Sequence, residues 1–170
     1  MTKLVTLPRF LFLVSCFLLF FASCKQVELY ERLQNIPGAE WKGDHKPVFA
    51  FNIADTISLY NVYITVRHTN SYAYNNIWLE TSLLKPGDSV LTQKVDLPLA
   101  GPEGWLGTGM DDIFERRIKI TPEPYQFKRS GQIAFTLKQA MRQDPLPGIM
   151  QVGVRVEKIN RSIGIGSINQ

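Results

Sequence analysis

The chain has 170 residues, 45% hydrophobic and 20% charged, with a formal charge of +4 and two cysteines. That length suits one domain with a sizeable core, and the apolar content excludes a disordered chain. Two cysteines are too few for a disulfide-built scaffold or a four-ligand zinc ribbon, and both lie in the first 24 residues.

Residues 1–23 read as a leader. Lys3 and Arg9 form a positive n-region, Phe10 to Phe21 run apolar, and Ala22-Ser23 precede Cys24. The run is too short to span a bilayer as a helix and is followed by polar chain, which is the pattern of a secretion signal. Small residues directly before a cysteine meet the needs of a lipoprotein signal peptidase. Cys24 is therefore the expected lipid attachment site and first mature residue. A rival box at Leu13-Val14-Ser15-Cys16 is rejected on length, because cleavage there leaves six apolar residues after Arg9 and strands Phe17 to Phe21 on the product. The expected location is the bacterial cell envelope, at the outer membrane, through acyl chains such as palmitate.

Without the leader, 147 residues carry 17 basic and 15 acidic side chains, split −5 over residues 24–115 and +7 over 116–170. Arg116, Arg117, Lys119, Lys128, Arg129, Lys138 and Arg142 are candidates for a positive face suited to an anionic envelope polymer, lipid headgroups or an acidic partner. The competing reading is alternate solvent-facing residues on strands. Nucleic acid is excluded as a partner because the chain is exported and carries no binding motif.

Residues 24–46 are expected to form a lipidated tether and lead-in, with a turn of helix around Glu28 to Leu33 and a loop at Pro37-Gly38. The domain proper is expected over 47–158. From Val48 the pattern is period two, the signature of half-buried strands. Strands are predicted at Val48–Ile53 and Leu59–Thr69, around Ile77 to Leu83, at Ser89–Leu97, Asp112–Thr121 and Gln132–Ala140, and from Met150 to Val156. Lys85-Pro86-Gly87-Asp88 supplies one turn. Imperfect alternation in Asp112–Thr121 predicts a bulge or register change. Residues 159–170 read as a weak edge strand or a loosely held tail. Strands spaced by turns, without a long amphipathic helix, point to a single antiparallel β-sandwich, jelly-roll or immunoglobulin-like; a small barrel also fits.

Catalytic chemistry finds little support. His45 and His68 stand alone, with no serine or cysteine motif to make either a general base. Asp111-Asp112 with Glu115 lack a calcium-loop grammar, and no carboxylate pair stands out as a glycosidase dyad. No cofactor or metal site is expected. The unusual stretch is Gly101-Pro102-Glu103-Gly104-Trp105-Leu106-Gly107-Thr108-Gly109, whose glycines imply positive φ or close backbone approach around an indole. It is no phosphate loop, since the lysine and following helix are missing. Trp105 either plugs the end of the sandwich or faces a partner or glycan. The same choice attaches to Tyr72 and Tyr74 in the polar loop from Arg67 to Asn76, and Trp78 completes the candidate partner or glycan surface.

Several segments together resemble the gliding-motility lipoprotein GldH family of the Bacteroidota. They are the lipobox, Tyr30-Glu31, Ile36-Pro37, Asn76-Ile77-Trp78-Leu79, the Gly104-Trp105-Leu106-Gly107-Thr108-Gly109 core, Gln139-Ala140-Met141-Arg142 and Gly148 to Lys158. The resemblance covers about Leu29 to Lys158. It implies an envelope lipoprotein needed for surface gliding, with no assigned catalytic residue or cofactor, and members also occur in species that do not glide. The resulting expectation is a non-enzymatic accessory protein that contacts other envelope or motility proteins. The alternative is a glycan- or peptidoglycan-binding module using Trp78, Trp105, Tyr72 or Tyr74 as stacking platforms.

Overall fold

The computed structural model describes residues 28–159, with side chains from Tyr30 onward. In chain order the strands are β1 Glu28–Asn35, β2 Glu40–Trp41, β3 Val48–Ile53, β4 Leu59–Thr69, β5 Asn76–Leu84, β6 Leu91–Pro98 and β7 Ala100–Gly101. They continue with β8 Gly104–Trp105, β9 Thr108–Met110, β10 Ile113–Lys119, β11 Gly131–Gln139, β12 Leu146–Pro147 and β13 Ile149–Ile159. One 3-10 turn, Pro37–Ala39, interrupts them.

Two sheets form the body, one ordered β1-β13-β4-β10-β9 and the other β3-β11-β5-β6. Every neighbouring pair within them is antiparallel. Alternation decides which side chains meet. Tyr60, Val62, Ile64 and Val66 of β4 and Val152, Val154 and Val156 of β13 turn inward from the larger sheet. Phe49, Phe51 and Ile53 of β3, Ile133, Phe135 and Leu137 of β11 and Ile77 and Leu79 of β5 face them, and all are buried in one core. Each contributes roughly 1.5–3 kcal/mol for leaving water. The expected antiparallel β-sandwich is the fold.

Three expectations need correction. Glu28 to Leu33, read as a turn of helix, lies in an extended strand whose Tyr30–Asn35 stretch pairs with Val156–Gln151, so the fold starts well before residue 47. Good helix formers lose here because β13 offers an open ladder and packing outweighs propensity. The lead-in also supplies a core residue, since Trp41 is fully buried and its indole N–H donates to the His45 carbonyl at 2.8 Å. Third, β10 pairs with β4 without any shift from Ile113 to Lys119. Its irregular pattern arises because Arg116 stands among the inward positions Phe114 and Ile118. The register shifts lie instead in β13 between Ile149 and Gln151, and in β1 near Glu28.

The strand directions give the sandwich two distinct ends. β1 begins, β13 finishes and β4 begins at one end, where the 54–58, 85–90 and 120–130 connections also lie. These connections are tied together: Tyr60 and Tyr125 exchange backbone hydrogen bonds of 2.8 Å, and Gln126 donates to the Thr56 carbonyl. The opposite end carries the 70–75, 99–112 and 140–148 loops. Expectations on the leader and Cys24 fall outside the described residues, as does most of the 159–170 tail.

Candidate functional site

Glycines build the loop that carries Trp105. Gly101 and Gly104 close a two-residue ladder between β7 and β8 over the Pro102-Glu103 turn. Gly107 has φ +97 and runs so close to β10 that a Cβ would sit 2.1 Å from the Glu115 carbonyl oxygen. Only glycine fits there. Gly109 lies flat on the Phe114 ring, where a Cβ would approach within 2.7 Å. These contacts press the loop onto the edge of the larger sheet and set the indole of Trp105 over the end of the core.

Trp105 is half-buried and packs against the core. Its ring lies 4.5 Å from His68, 6.0 Å from Phe114 and 6.4 Å from Tyr72, and its N–H donates to Asn70 Oδ1 at 2.8 Å. One face therefore caps the sandwich and the rest borders solvent. Tyr72 is only 4% exposed and donates its hydroxyl to the Asn76 carbonyl at 3.0 Å. Burial, with the neighbouring Tyr74, holds its phenol well above the usual tyrosine range. A ring so enclosed offers no face to a sugar. Tyr74 is half-buried, 5.7 Å from Tyr72, and donates to Gln143 Oε1. Trp78 stands apart. It points outward from β5, between the buried Ile77 and Leu79, with Lys94 Nζ 5.5 Å from its ring.

Two members of the cluster escaped sequence reasoning. His68 continues the Tyr60-Val62-Ile64-Val66 alternation and is fully buried, its Nδ1 3.0 Å from the Thr69 carbonyl and its Nε2 without a hydrogen-bond partner. Burial holds its pKa below the ordinary histidine value, against the smaller opposing effect of the Thr69 carbonyl. Period-two counting alone places it in the core. Phe114 was signalled only by the inward alternation of β10.

Around this cap the end of the molecule shows apolar side chains to solvent. Met110, 78% exposed, pairs with the partly exposed Ile113 across β9 and β10. Beside Ile113 a shallow cleft of about 300 Å³ is lined by Asn35, Ile36, Arg67, Met150 and Gln151, among others. Arg67 bridges it, paired with Glu115 at 2.7 Å and donating to Gln151 at 2.8 Å.

The candidate basic residues do not share one face. Arg117 lies on the outer face of the larger sheet and pairs with Glu31 at 2.5 Å, while Lys138, on the other sheet, lies 3.8 Å from Glu80. Arg129 reaches Asp88 at the end where the chain enters, and Arg116 turns inward at the sheet edge. Antiparallel pairing thus sets much of the basic half against the acidic half. Among the described residues, no three histidine, cysteine, aspartate or glutamate side chains gather as a metal site. His45 and His68 lie at separate places in the fold.

Comparison with known proteins agrees on one family. The model of the GldH lipoprotein family matches residues 28–156. A gliding motility lipoprotein GldH homolog of Christiangramia forsetii is 30% identical over 149 residues, covering 83% of this chain and 90% of that protein. The gliding motility lipoprotein GldH of Flavobacterium johnsoniae is 29% identical over 154 residues, 86% of this chain and 93% of its own. Among solved structures, the VP2 subviral particle of infectious bursal disease virus aligns with 79% of this chain and 31% of its own at 17% identity. Its TM-score of 0.32 is too low to mean a shared fold.

Proposed function

Since the chain belongs to the GldH lipoprotein family, and so is a membrane-anchored envelope lipoprotein of gliding motility, we propose that it works without catalysis. It is anchored through acylated Cys24 and makes protein contacts with its far end. One observation carries the reading. The described chain begins at one end of the sandwich, and the Trp105 cap, with exposed Met110 and Ile113, lies at the other. Whatever that cap presents is held away from the anchor.

The exposed apolar pair Met110 and Ile113, on the outer face of the larger sheet with the Arg67–Glu115 ion pair beside it, has the make-up of a protein contact, apolar side chains with a polar rim. Tyr72 is removed from the glycan reading by its burial, and Trp78 does not join the cap. Two or three acyl chains on Cys24 hold the molecule at a membrane far more persistently than one, and the outer membrane is the location proposed.

A photo-crosslinking residue at Met110 in intact cells tests the contact. The expected product joins the protein to another envelope protein. Equal capture from Lys94, on the outer face of the smaller sheet, would remove the far end from the proposal. Wild-type gliding after gene deletion in a gliding host would remove the motility role. For the anchor, Cys24→Ala should abolish acyl labelling; label that persists places the lipid elsewhere.

A further inference from the structure

The end where the chain enters carries its own apolar surface. Ile57 is 87% exposed at the tip of the β3–β4 loop, Val90 and Leu91 are 55% and 57% exposed where β6 begins, and Tyr125 is 37% exposed between them. Ile57 is held there by a fixed turn, since the Asp55 carboxylate accepts the backbone N–H groups of Ile57 and Ser58 at 2.9 and 3.0 Å. Behind these tips an apolar cavity of about 210 Å³, lined by Phe51, Val62, Leu83, Leu91, Ile120 and Phe135 among others, carries the apolar surface inward. This is smaller than the roughly 300–1,000 Å³ of small-molecule pockets.

The sequence brings this end to the membrane. Only Lys25, Gln26 and Val27 separate Cys24 from Glu28. At 3.3–3.6 Å per residue, Glu28 lies at most about 14 Å from the anchoring cysteine. Glu28 stands in the row of Glu157 and Asn61, at the end that carries the three connections.

We propose that this end rests in the bilayer interface, with Ile57, Val90, Leu91 and Tyr125 among the acyl chains of a phospholipid leaflet. The distance rests on the Cys24 reading; the apolar face does not. Apolar contact drives the insertion. The cations of this end are largely used at home, with Lys158 on Asp55 at 2.5 Å and Lys85 and Arg129 on Asp88 at 3.0 and 3.3 Å.

The test uses the acylated mature protein in phosphatidylethanolamine–phosphatidylglycerol vesicles, with Ile57→Cys or Val90→Cys carrying a nitrobenzoxadiazole probe, because acylation and N-terminal processing leave no other free thiol. Doxyl-labelled lipid is expected to quench both probes at least twofold and to leave one on Met110→Cys unchanged. Phosphatidylcholine vesicles should give the same result. No quenching at positions 57 and 90, or equal quenching at 110, overturns the proposal. Acyl label read on the same sample judges Cys24 separately. Without that label, the probes are read on Cys24→Ser protein at saturating vesicles, where quenching at 57 upholds the face and its absence defeats it. A blue shift that grows with protein concentration before vesicles are added would assign the face to a second copy and overturn the proposal.

Discussion

His68 is a fully buried imidazole among Trp105, Tyr72 and Phe114, where the Thr69 carbonyl only partly offsets the loss of water around its charged form. The folded protein therefore keeps it neutral below the value near 6.5 at which the unfolded chain takes up a proton. The unfolded state then binds more protons as pH falls, so this group's contribution to stability is present above about pH 6.5 and is lost below it. Urea unfolding at pH 7.5 and 5.5 should show a lower midpoint at the acid pH, and His68→Phe should remove part of that difference. An unchanged pH dependence in the variant would mean that another group carries it. Asp55 acts in a lower window. The Lys158 ammonium, then the Ser58 hydroxyl and nearby N–H groups, hold its carboxyl well below the usual range, so its contribution is full above the ordinary value of 3.8 and is lost progressively as pH falls from there into strong acid.

Among elements, the loop around Trp105 is the least forgiving. Gly107→Ala would drive a Cβ into the Glu115 carbonyl and strain a positive φ at once. A loss of about 2–4 kcal/mol in chemical unfolding is expected, combining backbone strain with overpacking. By contrast, Gly104 has φ +111 with open space around its missing Cβ, so Gly104→Ala should cost less, about 1 kcal/mol from the backbone alone. Equal losses at both sites would show that contact with β10 does not position the loop. The glycine spacing signalled these demands in the sequence, but not which strand the loop approaches. The longer strands were legible because each buries one face, which writes period two into Tyr60-Val62-Ile64-Val66 and Ile133-Phe135-Leu137. β1 was not, because an edge strand needs few apolar side chains and Glu28–Asn35 is composed of residues that also suit a helix. The two-residue ladders β2–β12 and β7–β8 are too short to carry any period. Tyr72 stays open in the sequence for a related reason: a tyrosine in a polar loop can be exposed or enclosed, and only the packing of the loop back over His68 encloses it.

At the scale of the whole molecule, the charge split between the two halves becomes a pairing device. Glu31 of β1 holds both Arg117 of β10 and Arg155 of β13, at 2.5 and 2.8 Å, so that one carboxylate ties together the first, second and fourth strands of the order β1-β13-β4-β10. Glu31→Ala should lower stability by about 1–2 kcal/mol, more than an isolated surface pair would, because one carboxylate serves two guanidiniums.

On the proposed reading the two ends of the sandwich divide the work, and the short tether couples them. With the lipid on Cys24, as proposed, only Lys25, Gln26 and Val27 would precede β1, and the height of the Trp105 cap above the membrane would be set mainly by the length of the sandwich. Inserting twelve Gly/Ser residues after Gln26 would add a coil with a root-mean-square span of roughly 20 Å. Acyl labelling and the unfolding midpoint should stay as they are, since neither the cysteine nor the sheets change. Crosslinking from Met110 should fall severalfold if its partner sits at a fixed height, because the cap would then sample a much larger volume. Undiminished crosslinking would mean that the partner is itself mobile, and that the anchor supplies location without setting reach.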